Sequence, residues 1–296
     1  MDSASSFPVD MFGGEVAYSV TRSGVAVIRL NAPKRMNTMS GKMNMGVQVA
    51  LDMAQDDPNV RVIVLTGTGN RAFCAGGNLD NDSGEGAATG FIGKGGVPFT
   101  TASAVRTLRM GMYSSTSLRE SDKITIAAVN GAAAGAGLSW ALACDIRLAS
   151  DTALFRTSFL TAGLSGDYGG TWTLSKVVGS AKAKEMYLMN KKVRADEAKA
   201  IGLVADVFPA SNFMDSVMKV AESIAAAPQL ALRRIKQNLL DADRLSFAEA
   251  LDAEAERHAR TAMHPDAMEA GYAFMQKRKP NFKGVGPQEK WRMSKL

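Results

Sequence analysis

A chain of 296 residues, 46% of them hydrophobic, can bury one large core, and its longest apolar runs are too short to span a membrane. The net charge of +6 is mild, and its excess gathers late, in Lys277-Arg278-Lys279 and in Lys283, Lys290, Arg292 and Lys295, which suits phosphate contacts or, as composition favours, a solvated tail; the absence of aromatic interleaving and of a continuous basic stripe speaks against a nucleic-acid partner. Two cysteines, Cys74 and Cys144, make neither a disulfide framework nor a zinc site, no His/Asp/Glu cluster has metal-ligand spacing, and the opening MDSASSFPVDMFGGE lacks the cationic and apolar parts of a signal peptide, so a reducing compartment is expected.

In chain order, Val16 to Val20 and Val25 to Leu30 read as strands joined at Ser23-Gly24, and Pro33 ends the ladder. A helix follows from about Ser40 to Asp56, then a buried parallel strand from Val60 to Thr66. Asp80 to Phe99 is rich in Gly, Ser and Asp and reads as a loop over a site, with one helix from Thr101 to just before Lys123. Ile124 to Val129 and Asp145 to Ala149 are strands on either side of a small-residue turn and helix, while 151–166 fits no single pattern. Helical periodicity returns over Gly170 to Val178, Lys182 to Met189 and Ala195 to Ile201, followed by a short strand from Val204 to Phe208. After Pro209 four amphipathic helices are predicted, at 211–226, 228–241, 246–261 and 264–278.

Two glycine-rich stretches follow strands. Gly67 to Ala72 matches G-x-G-x-x-A, but two more glycines and no amphipathic period come next, which weakens a dinucleotide reading and favours an exposed backbone N–H near Gly77. Ala127 to Ser150, AAVNGAAAGAGLSWALACDIRLAS, is strand, tight turn and helix, with almost no side chain at Gly135, Ala136 and Gly137. From the residues alone, this is equally an anion-binding helix start or a close helix–sheet packing contact. Two N–H groups near Gly77 and Ala136 could together hold a carbonyl oxygen as it becomes an oxyanion. Serine hydrolysis fits poorly, since Ser139 and Ser165 do not complete G-x-S-x-G, and His258 and His264 lie in charged helices.

AFCAGGNL, followed some fifty residues later by AAVNGAAAGAGLSWALACDIRLAS, resembles the two oxyanion-hole segments of the crotonase (enoyl-CoA hydratase/isomerase) superfamily. The resemblance covers roughly residues 16 to 284 and continues through FRTSFLTAGLSGDYGGTWTLSKVVGSAKAKEMYL, ADEAKAIGLVADVFP and DAMEAGYAFMQKRKPNFKG. It implies an α/β fold, a spiral of ββα turns with an all-α C-terminal region, assembled as a trimer or hexamer and acting on acyl-coenzyme A thioesters. No separate cofactor is implied, since coenzyme A enters with the substrate. The expected division is a spiral acyl-CoA-binding core over 1–209, a helical trimerisation region over 210–284 and a tail over 285–296.

By position, Gly77 and Ala136 would donate the oxyanion-hole N–H groups, with Ala136 in place of the usual glycine. The two positions where related hydratases carry glutamates read Ser139 and Phe159, which puts a two-glutamate hydration in doubt. Asp167, in Gly166-Asp167-Tyr168-Gly169-Gly170, matches the aspartate of isomerases and some ring-opening hydrolases; the competing role is capping the helix near Gly170. Burial beside Tyr168, Trp172 and Phe159 would raise its pKa toward neutrality, suiting a proton shuttle. The resemblance places Ala75, Phe159, Trp140 and Tyr168 around the acyl group, although Phe159 and Trp140 serve equally as core. It places Lys34, Arg35, Phe274, Lys277 and Lys279 near coenzyme A.

These assignments make the chain an enoyl-CoA isomerase first, a hydratase or C–C hydrolase second, and an RNA-binding or scaffold protein last. Ser294-Lys295-Leu296 is a peroxisomal address, read by the import receptor, for a eukaryotic source; for any other source the expectation is cytoplasmic.

Overall fold

The computed structural model describes residues 13–78 and 100–282. The expected loop over 80–99, the tail over 285–296 and the terminal Ser294-Lys295-Leu296 lie outside them.

The chain builds two sheets by alternating between them. β1 (Val16–Val20) and β2 (Val25–Leu30) form an antiparallel hairpin, and after a 3-10 turn at Pro33–Arg35 comes helix α1 (Gly41–Asp56), whose N-cap Ser40 accepts the Met43 N–H at 3.0 Å. Three turns of one unit follow. β3 (Val62–Gly67) bends into β4 (Ala72–Cys74), which leads to α2 (Thr101–Gly111) and α3 (Tyr113–Glu120). β5 (Ile124–Val129) bends into β6 (Ala132–Ala134) and α4 (Ala136–Ala143). β7 (Ile146–Ser150) bends into β8 (Leu154–Arg156) and α5 (Gly170–Leu188).

A six-stranded sheet runs β1-β2-β3-β5-β7-β10, where β10 is Asp206–Phe208, and is parallel from β2 onward. A four-stranded sheet runs β4-β6-β8-β9, with β9 at Val193–Arg194 and α6 (Ala195–Ala200) following it. This is the ββα spiral. Its successive turns stack backbone on backbone: a Cβ at Gly131, in the β5–β6 turn, would sit 2.5 Å from the Arg71 carbonyl carbon in the turn before it.

The remaining helices are α7 (Phe213–Ala225), α8 (Gln229–Asp241), α9 (Phe247–Ala262) and α10 (Pro265–Met275). The main core fills the space between the sheets and α1, α4 and α5. A second cluster joins Val25, Val27, Val62, Val64, Ile126 and Leu148 to Phe213, Val217 and Ala221 of α7, so α7 closes the outer face of the large sheet. This second cluster spans residues on both sides of 209/210.

Several local expectations need correction. The helix expected from Thr101 breaks at Gly111 because its carbonyl is diverted to the side chains of Asn44 and Ser114, at 3.1 and 2.9 Å. Residues 151–166 hold β8 and a 3-10 turn at Phe159–Ala162. α5 is interrupted at Gly179 (φ 77°), as the gap between the two predicted segments implied. Trp172 is 45% exposed under the cations of Arg119 and Lys176, 4.4 and 4.8 Å from its ring centre, and so is not an apolar neighbour burying Asp167. Among the described residues, no helix is long and apolar enough to cross a membrane.

α8 is fastened to the core by one buried charge. Lys236, 5% exposed, donates to Asp145 Oδ2 at 2.7 Å and to the Lys123 carbonyl at 3.1 Å, while Asp145 Oδ2 also accepts from Thr125 N and Oγ1. Lys236→Met keeps the stem but leaves Asp145 without its counter-charge. We expect a loss of about 3 kcal/mol in urea unfolding, the low end for breaking a buried pair because the Thr125 bonds survive. A loss below about 1 kcal/mol would reduce the pair to the value of a surface ion pair.

Candidate active site

The two glycine segments meet where β4 and β6 end. Gly76 has φ +105° and Gly135 has φ +51° with ψ −128°, conformations that a Cβ disfavours. A Cβ on Gly76 would lie 3.1 Å from the Ala134 carbonyl oxygen, and one on Gly135 would lie 3.7 Å from Gly76 Cα. Gly137 is a packing glycine, its Cβ position only 2.2 Å from the Cys74 carbonyl oxygen. The close packing expected for this stretch is therefore found at Gly137.

Met39 donates to the Gly76 carbonyl at 2.8 Å and accepts from Asn78 N at 2.9 Å, forming a parallel bridge opposite Gly77. In such a bridge the central residue's N–H points away from its partner, so the Gly77 N–H is turned from Met39. Ala136 opens α4, where the N–H has no acceptor inside the helix. Its φ is not positive, so alanine fits the position as well as glycine. The pair of N–H groups suits an anionic or polarised oxygen.

Asp167 sits in a left-handed turn: Gly166, Tyr168 and Gly169 have φ of 118°, 50° and 75°. Its side chain does not cap α5, whose N-cap is Gly169 without a side-chain bond; only the Asp167 carbonyl takes part, accepting from Gly170 N at 3.0 Å. Asp167 Oδ1 is buried, with no hydrogen-bond partner among the described residues. Burial pushes the carboxyl up to about 6.

The turn is braced from three sides. The Tyr168 hydroxyl accepts from Asn44 Nδ2 at 3.1 Å, and its ring meets Trp140 edge-on at 6.1 Å. Trp140 is fully buried and donates to Ser114 Oγ at 2.9 Å, so it is core that supports Tyr168. Ser139, also buried, has its hydroxyl 3.1 Å from the Asp167 carbonyl oxygen and 3.3 Å from that of Gly135, linking the Asp167 turn to the start of α4. Phe159 stacks on Tyr187, with planes within 7° and centres 6.1 Å apart. The Tyr187 hydroxyl lies 2.7 Å from where a Cβ on Gly170 would be, and burial followed by the charge of Asp167 pushes its phenol up.

The other anticipated residues are placed as follows. Ala75 is half-buried and its N–H bonds the Met36 carbonyl at 3.1 Å. Lys34 is exposed on the 3-10 turn, while Arg35 is paired with Glu15 at 2.6 Å. Phe274, Lys277 and Lys279 are exposed at the end of α10. Asn44 and Tyr187 were not anticipated: each sits within a helix and carries no local signature, and only the period of α1 and α5 could have turned them toward the turn at Asp167.

The model of the enoyl-CoA hydratase/isomerase family matches residues 20–286. The chain belongs to the enoyl-CoA hydratase/isomerase family. It is 32% identical to 1,2-epoxyphenylacetyl-CoA isomerase of Escherichia coli, covering 91% of this chain and 99% of that protein. It is 30% identical to crotonyl-CoA hydratase of Syntrophomonas wolfei, covering 87% and 94%. The crystal structure of an enoyl-CoA hydratase from Polaromonas sp. JS666 matches with a TM-score of 0.81 at 30% identity, over 90% of this chain and 99% of that one. The chain is thus an enzyme of the enoyl-CoA hydratase/isomerase family, and the names of its relatives include both hydratases and isomerases.

The raised carboxyl has a stability consequence of definite sign. An aspartate in the unfolded chain titrates near 3.8, so between about pH 4 and 6 the native state holds a proton that the unfolded state has lost. The contribution of Asp167 to stability therefore falls as pH rises through that window, and the deficit persists above it. Asp167→Asn escapes it. In denaturant unfolding from pH 4 to 8, the stability of the variant relative to the natural protein should climb between pH 4 and 6 and then level; a flat difference would place Asp167 at its ordinary value.

Proposed function

We propose that this enzyme is an enoyl-CoA double-bond isomerase in which Asp167 shuttles a proton and the N–H groups of Gly77 and Ala136 hold the thioester oxygen. The observation that carries this reading is a buried carboxylate oxygen with no partner, raised to about 6. Such a group is ionised often enough near neutral pH to take a proton, and basic enough to give it back. With a 3-enoyl thioester, Asp167 removes a proton from C2, the C2–H electrons flow into the carbonyl, and the two N–H groups stabilise the oxyanion. The protonated Asp167 then delivers the proton to C4, and the double bond moves from C3–C4 to C2–C3 with no water added.

Ser139 and Phe159 support isomerisation over hydration, because neither can activate water as the glutamates of related hydratases do. A hydratase exists among the relatives, so hydration is the reading to be tested against. On the acyl side Phe159, Tyr168 and Ala75 would contact the substrate, and Lys34, Phe274, Lys277 and Lys279 would meet coenzyme A, with Arg35 contributing if it leaves Glu15. No further cofactor is required. Ile235, Leu239, Phe247 and Phe274 expose large apolar side chains on α8 to α10, which fits assembly into a trimer or hexamer.

Incubation with 2-enoyl- and 3-enoyl-CoA panels, resolved by mass, should show interconversion at constant mass; gain of one water would replace isomerase with hydratase. Asp167→Asn should lower turnover by roughly 10²–10⁴-fold with little change in affinity for a CoA thioester. Full turnover in that variant would remove Asp167 from the chemistry.

A further inference from the structure

Two buried asparagines outside this chemistry converge on a single main-chain carbonyl. Asn37, 1% exposed, donates through Nδ2 to the carbonyls of Thr68 at 3.1 Å and Ala72 at 2.8 Å, and its Oδ1 accepts from Ala32 N at 2.9 Å. Asn130, 7% exposed, donates to the carbonyls of Gly69 at 2.7 Å and Ala72 at 3.2 Å, and accepts from Gly67 N at 3.0 Å. Both side chains thus have donors and acceptors committed to the backbone of the β3–β4 turn, and the Ala72 carbonyl receives one amide from each.

The asparagines stand at the roots of the segments that form the site. Asn37 closes the loop between β2 and α1; two residues on, Met39 bonds the residues on either side of Gly77. Asn130 ends β5 and precedes the short β6 that leads to Ala136. Ala72 begins β4, which runs on toward Gly77. The turn is packed too tightly to adjust: a Cβ on Gly67 would lie 2.4 Å from the Ala72 carbonyl oxygen and 2.7 Å from Asn37 Nδ2.

We infer that Asn37 and Asn130 are positioning residues whose shared hold on the Ala72 carbonyl sets the separation and aim of the Gly77 and Ala136 N–H groups. The inference rests on the proposed oxyanion role of those two groups. Stabilisation of this type depends on donors fixed within a few tenths of an ångström of the oxygen's position, so releasing the common anchor should weaken polarisation of the thioester more than binding of the coenzyme A moiety.

The test uses butyryl-CoA carrying ¹³C at the thioester carbonyl. Three quantities are read: the infrared frequency of the bound carbonyl, the rate at which the C2 proton exchanges with D₂O, and affinity by calorimetry. Asn37→Asp and Asn130→Asp keep the side-chain shape but turn an acceptor toward carbonyls that need a donor. Asn37→Gly suits the left-handed backbone at this residue (φ 52°) and serves if the aspartates do not fold. Thr125→Val, which loses equally buried bonds at the far end of β5, reports loss of stability alone.

The natural protein should lower the carbonyl frequency on binding. The asparagine variants should lose most of that displacement and exchange roughly 10- to 100-fold more slowly, with affinity within about threefold, while Thr125→Val keeps the displacement. Asparagine variants that retain full displacement and exchange, whatever their stability, overturn the inference. An unmoved carbonyl in the natural protein instead overturns the oxyanion reading beneath it.

Discussion

The site depends on how closely two backbones approach. Gly76 and Gly135 face each other with no side chain between them, and both adopt torsions that a Cβ would disfavour. That contact brings two successive turns of the spiral together, and the proposed oxyanion site would draw one main-chain donor from each. Main chain is a good material for this task, because its donors are held by the hydrogen bonds of strands and helices on either side and need little reorganisation when charge develops.

Among the described residues Asp167 Oδ1 is buried without a partner, a cost to folding that its surroundings explain. The turn that carries it includes a buried tyrosine at φ 50°, a strained conformation for a bulky residue. Tyr168 is held there by Asn44 from α1 and by the edge of Trp140 from α4, while Ser139 ties the Asp167 carbonyl to the same α4. The helix that opens at Ala136 therefore also fixes the Asp167 turn. Displacing α4 would move the Ala136 N–H and the Asp167 turn together, which preserves their relation better than independent supports would.

What could be read from the sequence was what local chemistry marks. β-branched runs gave the strands of the large sheet, and Pro, Gly and Ser marked most element ends to within two residues. The glycine segments were legible because absent side chains leave a gap that few folds need. Asp167 was visible, but setting aside the capping role required its hydrogen bonds, since its side chain makes no cap to α5. Asn37 and Asn130 were not legible at all, since each bonds carbonyls some thirty to sixty residues away. Trp172 was misjudged because burial of an aromatic depends on what covers it, and here the cover is two cations at the surface.

Those cations show how the helical third of the chain reaches the site without touching the chemistry. Arg119 of α3 and Lys176 of α5 flank Trp172 and both pair with Asp243 in the α8–α9 connection, at 2.7 Å each. Arg244 adds a bond to Glu120. Each pair alone would contribute little at a partly exposed surface, but one carboxylate shared by two cations that also stack on a single ring is a network with few alternative geometries. α5 begins at the Asp167 turn, and α3 follows directly on the segment whose Gly111 carbonyl holds Asn44. The α8–α9 connection thus ties the C-terminal end of α3 to the first turns of α5, beside the Asp167 turn. Removing the late helices would expose apolar surface and also free α3 and α5 to move apart, so the Asp167 turn should loosen before the Gly77 and Ala136 segments, which are anchored in the spiral itself.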